Sequence, residues 1–191
     1  MRPKHKTYTI AAADADGICK AQTKAGAGAL TLNGDLAGVL AIPRHISITP
    51  AADESLITFT ITGTDRYDRA LTEDVTGGNV TLTKTTKCFK TVTGVSVSAA
   101  LAGNVTVGSA DSLETAWIPL DHYRLSYDAE AYISAGGSMD YEIEKTIGDV
   151  FNDDEWDMPI AEAVNIPTAI RLKIWDHVSG NLTLDIVTQR K

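Results

Sequence analysis

Apolar and polar residues alternate with period two over much of this chain. Ile46-Ser47-Ile48, Ile57-Thr58-Phe59-Thr60-Ile61-Thr62, Val80-Thr81-Leu82-Thr83, Val95-Ser96-Val97-Ser98, Val105-Thr106-Val107, Ile170-Arg171-Leu172-Lys173-Ile174 and Leu182-Thr183-Leu184-Asp185-Ile186 all follow it. This alternation predicts half-buried antiparallel strands. The apolar face then supplies the core: Phe59, Ile61, Val95, Val97, Val105, Val107, Leu172, Ile174, Leu184 and Ile186. The polar partner is most often Thr, about one residue in eight, whose branched Cβ suits a pleated surface. Helical signals are nearly absent. The best, Pro159-Ile160-Ala161-Glu162-Ala163-Val164, spans under two turns and stops at Asn165 before Pro167, so it reads as one turn in a loop.

Turn residues punctuate the strands at Pro50-Ala51-Ala52-Asp53, Gly63-Thr64-Asp65, Gly77-Gly78-Asn79, Gly103-Asn104, Gly136-Gly137-Ser138 and Ser179-Gly180-Asn181. Short strands at this spacing predict an all-β fold of antiparallel β-sandwich or jelly-roll-like units. The expected division is an N-terminal arm or edge hairpin over 1–40, a first β-sandwich unit over 41–116 and a second β-rich unit over 117–191. Residues 11–40 are set apart by their Ala and Gly content, with Gly26-Ala27-Gly28 and Leu30-Thr31-Leu32-Asn33-Gly34. Side chains that small are expected to build little core, so the segment reads as an arm that touches a neighbouring subunit.

At 191 residues and 20.4 kDa the chain can hold one large or two small domains. Its apolar content of 43% and charged content of 22% are those of a folding chain. No apolar run is long enough to span a bilayer, and the start Met1-Arg2-Pro3-Lys4-His5-Lys6 is followed by no apolar core of a signal peptide. Cys19 and Cys88 sit in no metal-binding spacing, which fits folding in a reducing cytoplasm with both thiols free. Net charge is +3 over residues 1–50, −1 over 51–110 and −10 over 111–191, for a total of −8. So acidic a C-terminal third argues against direct nucleic-acid binding. It suits contact between like subunits, with Arg2, Lys4, Lys6, Leu30 and Leu32 as interface candidates.

Few residues stand in patterns that carry chemistry. Asp149, Asp153, Asp154, Glu155 and Asp157 lack the alternate spacing and central Gly of a calcium loop and read as a solvated loop. Asp153, Asp154 and Asp157 are the positions that would ligate Ca²⁺ if any do. Trp156 within that run is either an interface anchor or tucked against its own sheet. Glu142 and Glu144 share one face of a strand beside Asp140, the only carboxylate pair in regular structure, and that face is expected to be the solvent side. Asp121-His122-Tyr123 comes with no nucleophile elbow, and Gly26-Ala27-Gly28 is neither a dinucleotide fingerprint nor a P-loop. No catalytic residue, cofactor or membrane partner is expected.

Several stretches in order resemble a family of tailed-bacteriophage virion structural proteins encoded among head and tail genes. They are the Ala/Gly-rich lead into Leu30-Thr31-Leu32-Asn33-Gly34, Pro43-Arg44-His45-Ile46-Ser47-Ile48-Thr49, Ile57 to Asp65, Leu71-Thr72-Glu73-Asp74-Val75, Phe89 to Val97 and Ala102 to Gly108. Tyr141-Glu142-Ile143-Glu144-Lys145-Thr146 and Pro167 to Leu172 are similar to a second pattern of such proteins. Arg66-Tyr67-Asp68 departs from the small Gly turn of relatives. The resemblance implies a non-enzymatic virion component, either a capsid decoration or cement protein or a neck or tail accessory (adaptor or ring) protein. Its partners would be the major capsid protein or neck and tail proteins, with like subunits forming a homo-oligomer, and its location the virion. From a different class, a carbohydrate-binding β-sandwich module could use Trp117, Trp156 or Trp175 as a stacking platform.

Overall fold

The computed structural model describes residues 4–34, 39–120, 126–133, 137–146, 158–159 and 169–189. Among these, every regular element is a strand and every pairing is antiparallel, so the fold is all-β and sandwich-like. Among the described residues no helix is long and apolar enough to cross a membrane. The chain forms two compact units, residues 13–113 and residues 1–12 with 114–191.

The first unit contains β2 (Asp14–Gln22), β3 (Gly28–Ala29), β4 (Val39–Pro50), β5 (Thr58–Thr64), β6 (Ala70–Thr76), β7 (Thr83–Lys84), β8 (Phe89–Val97) and β9 (Val105–Glu114), whose last residue opens the second unit. The main order is β9-β4-β8-β5-β6, with β2 on β9, β3 on β8 and β7 on β4. The start of β4 pairs with β8 (Arg44 opposite Phe89), and its later residues pair with β7 (Ser47 opposite Lys84). Such a change of partner lets a sheet fold over on itself, and one apolar cluster fills the interior. It includes Ile46, Ile48, Phe59, Ile61, Phe89, Val95, Val97, Val105 and Val107. All ten residues assigned to the core from periodicity are buried.

Residues 13–34 are part of this unit and not a detached arm. Ile18, Cys19 and Leu30 lie in the central cluster, and Leu32 packs against it. Small residues serve close backbone approach here. A Cβ on Gly108 would lie 1.9 Å from the Asp14 carbonyl oxygen, so β2 can lie against β9 only because that position is Gly. Side chains complete what the irregular backbone pairing leaves open. The Gln22 amide exchanges two hydrogen bonds with the Thr31 backbone (2.7 and 2.8 Å), and the Asn33 amide accepts from Lys20 N–H and donates to the Asp16 carbonyl. These bonds lie on the exposed side of the segment, while Ile18, Cys19 and Leu30 supply its buried side.

The alternation at Val80-Thr81-Leu82-Thr83 does not become a buried strand. Val80 sits at φ 53°, in the left-handed region that β-branched residues avoid, and both Val80 and Leu82 are exposed. Turn contacts to the neighbouring loop, such as Glu54 N–H to the Gly78 carbonyl at 3.0 Å, override the periodicity.

The second unit contains β1 (Lys4–Tyr8), β10 (Ile118–Pro119), β11 (Ser126–Ile133), β12 (Ser138–Thr146), β13 (Met158–Pro159), β14 (Ala169–Ser179) and β15 (Leu182–Gln189). β1, β15 and β11 form a three-stranded sheet. β1 pairs along its full length, from Lys4 opposite Ile186 to Tyr8 opposite Leu182, and is an edge strand of that sheet. β12 lies between β13 and β14, and β10 also pairs with β14. β14 and β15 are joined through Gly180 at φ 98°, a conformation a side chain would strain.

Candidate functional site

Among the described residues, a dense cluster of paired charges lies along one face of β14. Arg171 stands directly opposite Glu144 on β12, and Lys173 opposite Glu142. On the other flank the chain leaving Glu114 is tied to β14 by two hydrogen bonds: Thr115 N–H donates to the Leu172 carbonyl (2.9 Å), and Leu172 N–H donates to Thr115 Oγ1 (3.0 Å). These ties deliver Glu114 and Trp117 to the same place.

The geometry is a closed ring of four charges. Arg171 Nε donates to Glu144 Oε2 at 2.6 Å, and a terminal guanidinium nitrogen lies 3.0 Å from Glu114 Oε2. Lys173 Nζ is 3.0 Å from Glu144 Oε1 and 3.8 Å from Glu114 Oε1. Each carboxylate thus meets both cations. Aromatic rings close both ends, with the Arg171 guanidinium 4.5 Å from the centre of the Trp117 ring and Lys173 Nζ 4.3 Å from that of Trp175. Arg171 is 5%, Glu144 6% and Glu114 9% exposed, so these three charges are withdrawn from water, while Lys173 is half-buried. Removing such charges from solvent is costly, and the arrangement persists because each is paired.

The face expected to be solvated is therefore the buried one at Glu144 and Arg171. Strand alternation separates the two faces of β14 but does not say that one is wet. Both are covered over Ala169 to Leu172. Glu142 is only half-buried, and Asp140 is exposed. With Glu144 engaged by two cations, the pair is not an acid and base facing a cleft. The signal that could have found this site was the match of two acids on β12, Glu142 and Glu144, to two cations on β14, but reading it requires the register.

The other candidate residues are dispersed. Lys4 and Lys6 lie on β1, where Lys6 is exposed and stands 4.9 Å from the Tyr8 ring centre, while Leu30 is buried and unavailable as an interface residue. Trp117 is buried beneath Arg171, so it cannot serve as a stacking platform; Trp175 is half exposed. Arg2, Asp121, His122, Tyr123, Asp149, Asp153, Asp154, Glu155, Trp156 and Asp157 lie outside the described residues, as does the turn expected after Pro159.

Cys19 and Cys88 are free thiols, both buried, and burial pushes the Cys19 pKa up to about 11. A thiol in that state is a poor nucleophile. Burial also lowers the Arg44 pKa, against the opposing effects of Asp111 and Cys88, and its guanidinium donates to the Ala110 carbonyl at 3.0 Å. Comparison with protein-family models, with curated proteins and with solved structures finds no match for this chain.

Proposed function

We propose that the chain is a non-enzymatic structural component of a tailed-bacteriophage particle, seated on the capsid shell as a decoration or cement protein in contact with the major capsid protein and like subunits. The ring of Glu114, Glu144, Arg171 and Lys173 is the observation that carries this reading. These four charges are spent on one another, and they tie β14 to β12 and to the segment after Glu114. Paired buried charge of this kind favours a single register. A sheet held in one register suits a load-transmitting shell component, and the sequence resemblance points the same way.

The experiment is electron microscopy of virions carrying a label fused after Lys191. Label spread over the head is the expected result. Label confined to one vertex would assign the chain to the neck or tail, and virions that assemble without any label would overturn the proposal.

A further inference from the structure

β14 changes rhythm in its second half. Tyr141 of β12 stands opposite Ile174, yet Asp140 stands opposite Asp176, which leaves Trp175 without a partner position. The same slip recurs between Met139, opposite His177, and Ser138, opposite Ser179, and leaves Val178 unpaired. Burial follows the slips. Ile174 and His177 point inward, and Trp175, Asp176, Val178 and Ser179 are exposed. Two bulges three residues apart thus turn two large apolar side chains out, Trp175 at 50% and Val178 at 64% exposure. Bulges re-aim side chains in this way and are concentrated next to binding sites.

What surrounds the indole ring defines its ligand. Lys173 Nζ, held by Glu144, stands over the ring 4.3 Å from its centre. Asp140 and Asp176 are exposed and directly opposite each other, a like-charge pairing that costs stability across strands. Two apolar side chains fall far short of the roughly 800 Å² per partner of a standard protein interface, but an indole face matches one sugar ring. Carboxylates accept hydrogen bonds from several hydroxyls at once, and they repel anionic ligands.

We propose that this bulged end of β12 and β14 binds a neutral carbohydrate, with the Trp175 face turned away from Lys173 stacking on the C–H face of a sugar ring and Asp140 and Asp176 accepting from its hydroxyls. The site is independent of the virion assignment, since it is tested on the isolated full-length chain.

The test is an array of neutral and acidic oligosaccharides, followed by titration of the neutral glycans bound, with Trp175→Ala, Trp175→Tyr and Asp176→Asn variants alongside. Expected are binding to at least one neutral glycan and none to acidic ones, a loss of tenfold or more in Trp175→Ala, a smaller loss in Trp175→Tyr and a clear loss in Asp176→Asn. Should Trp175→Ala fail to fold, the Trp175 indole N–H resonance of the unmodified chain, assigned by its absence from Trp175→Tyr, must shift on adding that glycan. No neutral glycan bound above background, an unmoved indole resonance, or undiminished binding by folded Trp175→Ala overturns the proposal.

Discussion

The two units close their sheets with different chemistry. In the first, the interior is an apolar cluster around Phe59, Ile61, Val95 and Val107, and ion pairs such as Lys84–Asp111 and Lys90–Asp68 stay at the surface. In the second, β14 presents Ile170, Leu172 and Ile174 to one side and Arg171 and Lys173, ringed by Glu114 and Glu144, to the other. An apolar face tolerates exchange among residues of similar volume. A buried ion ring does not, because a slipped strand strands a charge without a partner. The first unit is therefore expected to respond to lost volume, the second to lost charge balance.

The largest expected effect comes from truncation. Removing residues 1–38 takes away β1, β2 and β3, together with Ile18, Cys19 and Leu30 of the core. The shortened chain should be unfolded or insoluble, which solubility and circular dichroism would reveal; a soluble, cooperatively folding product would restore the detached-arm reading of this segment. Next come two point substitutions that separate the units. Phe59→Ala should cost about 3 to 5 kcal/mol through the cavity it leaves. Arg171→Met should cost a similar ~3 to 5 kcal/mol by stranding buried carboxylates, and adding Glu144→Leu should recover much of it. Urea denaturation measures all three, and an additive double variant would dissolve the contrast between the units.

Smaller effects follow from backbone fit and titration. Gly108→Ala should cost roughly 1 to 3 kcal/mol, since the new methyl meets the Asp14 carbonyl. The raised Cys19 pKa sets a direction with pH. The folded chain keeps its proton up to about 11, while the unfolded thiol releases it near 9.0. Stability from this group is whole below pH 9 and declines as pH rises through about 11. A denaturation series across that window, compared with Cys19→Ala, isolates it. Asp65 acts in the opposite direction. Burial alone would raise its pKa, but hydrogen bonds from the Arg69 and Tyr67 backbone and from the Arg69 guanidinium hold it low. Its contribution is present above the ordinary Asp range and disappears as pH falls through the depressed value. Smallest of all, Lys90→Ala at the exposed pair with Asp68 should change stability by about 0 to 1 kcal/mol, and salt should reduce even that.

Much of the frame was legible in the order of residues. Phe59, Val95, Leu172 and Leu184 could be assigned to a core because side-chain direction in a strand depends only on position parity. Val80 and Leu82 share that parity pattern and are exposed, because hydrogen bonds between their turn and the loop of residues 51–57 decide the local backbone. The ion ring was less legible. Arg171 looks like any polar residue on an outward face until Glu144 is known to be its cross-strand neighbour and Glu114 to arrive from the other side.

By itself, then, the sequence determined the all-β class, the antiparallel pairing and the apolar faces, since these rest on local alternation and turn chemistry that each segment carries alone. Only the tertiary structure decided that residues 13–34 belong to a core, that the polar face of β14 is buried and ion-paired, and that Trp175 is turned out by a bulge. Those outcomes depend on register and on the second strand flanking each element. A single strand encodes which side chains share a face, but what covers that face is set by residues distant in the chain.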